Sequence, residues 1–157
     1  MSVRSVAVVL ACAASILRWG GATPTLRIYG ETGVPLATIA VQDGFTISFV
    51  HSVNLTPVDE EFIANDDGSI TLVRERFDQL STGMPSGDED GFAIENGHFV
   101  TKPNRRFPEI AVRVSPVAGH LLRIGTQERP LTYWAPVAGL LVFNAAGKYR
   151  FRIPTRN

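Results

Sequence analysis

Phe45-Thr46-Ile47-Ser48-Phe49-Val50 runs into a polar bend, His51-Ser52-Val53-Asn54-Leu55-Thr56, and leaves it as Pro57-Val58-Asp59-Glu60-Glu61-Phe62. In the first six residues Phe45, Ile47 and Phe49 alternate with Thr46, Ser48 and Val50. A period of two puts one set of side chains on each face of an extended strand, whereas a helix needs apolar residues every three or four positions. Pro57 has no backbone donor and fits best where a strand starts or at an edge. The segment therefore reads as strand, corner, strand.

The same alternation extends in both directions. Upstream, Leu26 and Ile28 alternate with Arg27 and Tyr29, Gly30-Glu31-Thr32-Gly33 reads as a turn, and the run Leu36 to Val41 is closed by Asp43-Gly44. Downstream, Asn65-Asp66-Asp67-Gly68 is a hairpin signal between the strands Val58 to Ala64 and Ile70 to Phe77. Asn96-Gly97, between Phe92–Glu95 and His98–Thr101, is a pair suited to a type I′ turn. Ile110 to Ser115, Leu121 to Ile124, Pro130 to Trp134, Leu140 to Phe143 and Lys148 to Ile153 continue the series of predicted strands. Lys102 to Pro108 reads as a polar loop. Asp78 to Gly91, with Gly83, Pro85, Gly87 and the acidic run Asp88-Glu89-Asp90, reads as a long exposed loop. About ten short strands separated by turn signals predict an all-β fold: one antiparallel domain, a β-sandwich or a partly open barrel.

A different pattern occupies the N-terminus. Met1-Ser2-Val3-Arg4 is a short positive start, Ser5 to Leu17 is apolar and uncharged, and Gly20, Gly21 and Ala22 are small. That order is the signature of a secretory signal, and the run is shorter than the ~20 residues of a spanning helix. We therefore expect a signal peptide over residues 1–22, cleaved or kept as an anchor, and a β domain over residues 23–157. Cys12 in Val9-Leu10-Ala11-Cys12 faintly resembles a lipidation site. The expected location is exported: periplasmic, or attached to a membrane through the N-terminal segment.

Composition narrows the function classes. The chain of 157 residues has 15 basic and 15 acidic side chains, a net charge of +0, so no overall field draws it to nucleic acid. Its only cysteine, Cys12, lies in the signal-like segment. That leaves no disulfide or thiolate metal site in the β domain, and no spacing links His51, His98 and His120 as metal ligands. We expect neither a metal nor a cofactor. A hydrolase built on Ser52, with His51 or His120 as base, is disfavoured: Ser52 and His51 are strand neighbours that point to opposite faces, and no Gly-x-Ser-x-Gly elbow is present.

The corner also carries a resemblance. An apolar strand followed by His51-Ser52-Val53, then Pro57-Val58 and Glu60, is similar to the DUF1850 family, small exported proteins often associated with TAXI-type TRAP transporters. Arg76-Phe77 followed by Ser81-Thr82-Gly83-Met84-Pro85 matches a second element of that pattern, departing from it at Ser81 and Thr82. Gly119-His120-Leu121-Leu122 and Pro130-Leu131 match a third. The resemblance implies a non-enzymatic accessory or binding role beside a TRAP transporter's substrate-binding or membrane subunit.

Read from the residues, the expected ligand- or partner-binding set is His51, Ser52, Thr56, Glu60, Gly83, Met84 and Pro85. It combines the polar corner with the glycine–methionine–proline loop and would serve a partner protein or a small polar ligand. The alternative is a small exported hydrolase or isomerase in which His51 and Glu60 form an acid–base pair. The plainer use of such a pair is to fix a strand corner by a hydrogen bond.

Overall fold

The computed structural model describes residues 23–80 and 91–146. The expected signal segment, the Gly83-Met84-Pro85 loop and the expected strand Lys148 to Ile153 lie outside the described residues.

The alternation seen in the sequence becomes twelve strands among the described residues: β1 (Thr25–Gly30), β2 (Pro35–Ala40), β3 (Phe45–Val50), β4 (Pro57–Ala64), β5 (Ile70–Phe77), β6 (Ala93–Glu95), β7 (His98–Thr101), β8 (Arg105–Phe107), β9 (Ile110–Arg113), β10 (Leu121–Ile124), β11 (Gln127–Pro130) and β12 (Leu140–Ala146). Every pairing is antiparallel. They form a small sheet in the order β2-β1-β12-β9 and a large one in the order β11-β10-β3-β4-β5-β7-β6. The free edge of the long strand β5 is shared: β7 pairs with its C-terminal end and β8 with its N-terminal end. Both sheets have ends, so the fold is a two-layer sandwich and not a closed barrel.

Two sequence readings are corrected. Lys102 to Pro108 is not all loop, because Arg105–Phe107 pairs with Leu72, Thr71 and Ile70. Pro130 to Trp134 is not a strand. The strand there is β11, ending at Pro130, and Leu131–Tyr133 forms a 3-10 turn that buries Leu131 completely. The two hairpin signals hold. Gly68 donates to the Asn65 carbonyl between β4 and β5, and Asn96 and Gly97 have φ of 52° and 84°. Positive φ at both central residues is the type I′ geometry.

The core lies between the layers. Leu26 and Ile28 of β1 and Leu141, Phe143 and Ala145 of β12 meet Phe45 and Ile47 of β3, Phe62 of β4, Ile70 and Leu72 of β5, and Leu122 of β10. Phe45 and Phe62 are paired across β3 and β4, with stacked rings 5.2 Å apart. Burying such side chains is worth about 1.5–3 kcal/mol each, which is what holds two otherwise separate sheets face to face. β12 lies between β1 and β9, so the small sheet is closed by the last described strand.

The chain enters β3 through Gly44, whose φ is +89°. A Cβ at this position would stand 2.3 Å from the Phe62 carbonyl oxygen, a backbone atom that cannot swing away. Gly44→Ala therefore combines a left-handed backbone with a direct clash. It is expected to destabilise the chain by more than about 2 kcal/mol, read as a lower urea midpoint with an unchanged slope.

Candidate functional site

The polar corner is a tight α-turn. The Leu55 amide donates to the His51 carbonyl at 2.9 Å, and the His51 amide donates to the Thr56 carbonyl at 2.8 Å. The His51 ring folds over its own turn, where Nδ1 accepts from the amides of Val53 (3.3 Å) and Asn54 (3.5 Å). Ser52 is exposed and Thr56 half-buried. Two neighbouring segments close in on the corner: the Val50 amide donates to the Ala118 carbonyl at 2.8 Å, and the Asn54 side-chain amide reaches the Gln79 carbonyl at 3.5 Å. Val53 and Leu55, at the tip, are 69% and 68% exposed. Leu80 and Val117, on the adjoining segments, are exposed as well. This pole thus presents four large apolar side chains to solvent.

Glu60 does not join His51. Residues directly opposite one another in an antiparallel pair share a face. Glu60 pairs with Ile47 on one side and Glu75 on the other, so it faces inward with Ile47. Ile47 precedes His51 by four residues, about 13 Å of extended chain. Glu60 instead sits beside Glu75, which accepts a hydrogen bond from the fully buried Thr101 hydroxyl at 3.0 Å. Burial, aided by the neighbouring Glu75 charge, pushes the Glu60 carboxyl up from 4.5 to about 7.

The sequence reading gathered Asp59, Glu60 and Glu61 at the corner, but β4 spreads them over both faces. Asp59 and Glu61 face outward into a charged array. Asp59 accepts from the Ser48 hydroxyl at 2.5 Å, from Arg76, and from Arg123 at 3.2 Å. Its burial would raise its carboxyl, but the Ser48 hydrogen bond and the two guanidinium groups outweigh that and hold it below the usual range. Glu61 accepts from Arg74 at 2.7 Å, and the same guanidinium donates to Glu95 at 2.8 Å. A β-bulge between Glu61 and Phe62 sets this register, bringing Arg74 opposite Glu61 and Leu72 opposite Phe62. Thr46 forms part of the floor between these side chains, in an open depression of ≈ 320 Å³ lined also by Asn96 and His98. His98 is paired through Nδ1 with Asp78.

The third histidine, His120, lies against Phe49 with ring centroids 5.8 Å apart, and burial lowers its pKa. Its Nδ1 is buried without a hydrogen-bond partner. Among the described residues, no group of three or more His, Cys, Asp or Glu side chains could hold a metal ion.

The raised Glu60 carboxyl gives stability a definite pH slope. The native state holds this proton more tightly than the unfolded chain, so its contribution is fully favourable below pH 4.5 and is lost as pH rises through about 7. The loss amounts to up to about 3 kcal/mol. His120 has the opposite sign, because its neutral form is favoured when folded. Glu60→Gln isolates the first effect: the variant is expected to gain stability over the parent at pH 8 and little at pH 4.5, in urea unfolding at the two pH values.

No curated protein and no solved structure matches the chain. Residues 45–131 match the profile of a family described as a domain of unknown function. That segment spans β3 to β11, the whole large sheet with the corner and the charged array, and the chain belongs to the DUF1850 family.

Proposed function

We propose that the chain is an exported, non-enzymatic accessory protein that docks through its β3–β4 corner onto a subunit of a TRAP-type transporter. The observation that carries the docking surface is Leu55. Its φ is 55°, the left-handed region that costs a non-glycine residue about 1–2 kcal/mol, and its side chain is 68% exposed. In the isolated chain this leucine has neither a favourable backbone nor a buried side chain. Backbone strain is concentrated at binding surfaces, and here it holds a large apolar side chain out in solvent. Val53 beside it, with Leu80 and Val117, supplies the apolar area that a protein interface uses at its centre.

The His51 ring supports this reading in a positioning role. Nδ1 is engaged by the turn's own amides, so the ring stiffens the tip instead of facing Glu60 as an acid–base partner. Ser52 and Thr56 flank that tip. Export is supported by the order of charged, apolar and small residues over positions 1–22, and the transporter partner by the family resemblance. A rigid, pre-ordered loop loses little conformational freedom on binding, which favours affinity from a small surface.

The test is co-purification of the full chain with the transporter's substrate-binding and membrane subunits, repeated with Leu55→Asn. Asparagine tolerates the left-handed backbone, so the variant is expected to unfold at a higher temperature than the parent, by the equivalent of about 1 kcal/mol, while losing capture of the subunit. Capture by the variant equal to that by the parent, or no capture by either, would overturn the proposal.

A further inference from the structure

Every sheet edge exposes backbone donors and acceptors that can pair with another strand, and proteins guard such edges with charge, proline or shortness. The edges of this sandwich are unequally guarded. β11 carries Glu128, Arg129 and Pro130; β6 is three residues long and ends in Glu95; β8 carries Arg105 and Arg106; and β9 is four residues long and ends in Arg113. β2 differs from all of these. Among the described residues it ends the small sheet, runs six residues as Pro35-Leu36-Ala37-Thr38-Ile39-Ala40, and contains no charged side chain. Its proline is at the first position, where it leaves the rest of the edge free to pair.

From this edge we infer that the chain forms a two-fold dimer in which β2 pairs antiparallel with β2 of a second copy. Face parity restricts the register. Leu36, Thr38 and Ala40 are exposed, while Ala37 and Ile39 pack against the core. Opposed residues in an antiparallel pair must share a face, so a self-pairing can only match exposed with exposed and inward with inward. Two registers do this with nearly the whole strand paired, one centred on Ala37 and one on Thr38, and the second leaves Pro35, which has no backbone donor, out of the pairing. In that register Thr38 meets its own copy on the two-fold axis, Leu36 meets Ala40, and Ala37 meets Ile39. The interface is isologous, so it closes at two copies instead of growing into a fibre.

Two further features favour a second copy as the occupant. An uncharged strand opposes itself without like-charge repulsion, which a self-pairing interface requires and a charged edge would prevent. Ile39 also borders a small cleft, ≈ 30 Å³, with Leu122, Ile124, Trp134, Gln127 and Arg129, where β2 of one sheet approaches β10 and β11 of the other. Continuing the small sheet through a second β2 extends apolar cover over that cleft. Val34, 54% exposed just before β2, adds apolar surface at the same edge. This dimer does not depend on the transporter reading, which uses the β3–β4 corner.

Sedimentation of the full chain over a range of micromolar concentrations tests the inference, with expected dissociation from dimer to monomer on dilution. Thr38→Lys places two like charges face to face on the axis and is expected to weaken the dimer at least about tenfold, with an unchanged circular dichroism spectrum because Thr38 is exposed. Register is read by disulfide trapping in a Cys12→Ser background. Opposed Cα atoms lie about 4.5–5.5 Å apart, so Thr38→Cys is expected to cross-link two chains under oxidation and Leu36→Cys is not. A parent chain that stays monomeric overturns the proposal. So does a dimer untouched by Thr38→Lys, or cross-linking at position 36 in place of 38.

Discussion

The structure depends on one constraint: residues directly opposed across antiparallel strands must face the same side. Once Phe45, Ile47 and Phe49 of β3 turn inward, β4 has no freedom left. Val58, Glu60 and Phe62 must turn inward with them, and Asp59 and Glu61 must turn out. A run of three carboxylates is thereby divided between an oily layer and a wet one. The bulge after Glu61 then shifts β5 by one residue, so Arg74 and Arg76 come out beside the two outward carboxylates while Leu72 stays in the core.

The two faces of the large sheet treat charge in opposite ways. On the outer face Asp59 is nearly buried, yet it has one hydroxyl and two guanidinium groups around it, so it stays ionised at little cost. On the inner face Glu60 has a second carboxylate for a neighbour. The row Glu60–Glu75–Thr101 runs across β4, β5 and β7, and the principal core cluster ends on one side of it; Val58 and Phe77 are buried on the other. Phe77 continues there into ring contacts with Phe99, and Phe99 with Phe92. The acidic row thus divides the apolar lining of the large sheet into two patches.

Much of this arrangement was readable in the sequence, because short-range rules govern it. Period-two alternation located β3 and β9. Asn65 to Gly68 and Asn96-Gly97 located two hairpins, since few residue pairs tolerate the backbone those turns need. β8 was missed because Arg105-Arg106-Phe107 shows no alternation and is extended only through its pairing with β5. β11 was displaced because Gln127, Glu128 and Arg129 are exposed throughout, so no apolar face announces the strand. The β3–β4 corner was legible as a turn, but its side-chain neighbours were not. Proximity in sequence suggested that His51 and Glu60 meet, whereas strand parity and a rise of over three ångströms per residue carry them apart. The charged array escaped notice because it joins β3, β4, β5 and β10, whose register nothing local determines.

The placement of β12 has a consequence for how the protein folds. Leu140–Ala146 lies between β1 and β9, joining the first described strand to one from the later part of the chain. During folding, the β1–β2 hairpin can form early from local contacts, but its inner edge stays open until β12 joins it. The large sheet, made of consecutive hairpins around β3, β4 and β5, can assemble in the meantime from nearby partners. Among the described residues, folding thus depends on one long-range step, the insertion of β12 between two neighbours, and a chain cut before Leu140 leaves β1 and β9 unjoined.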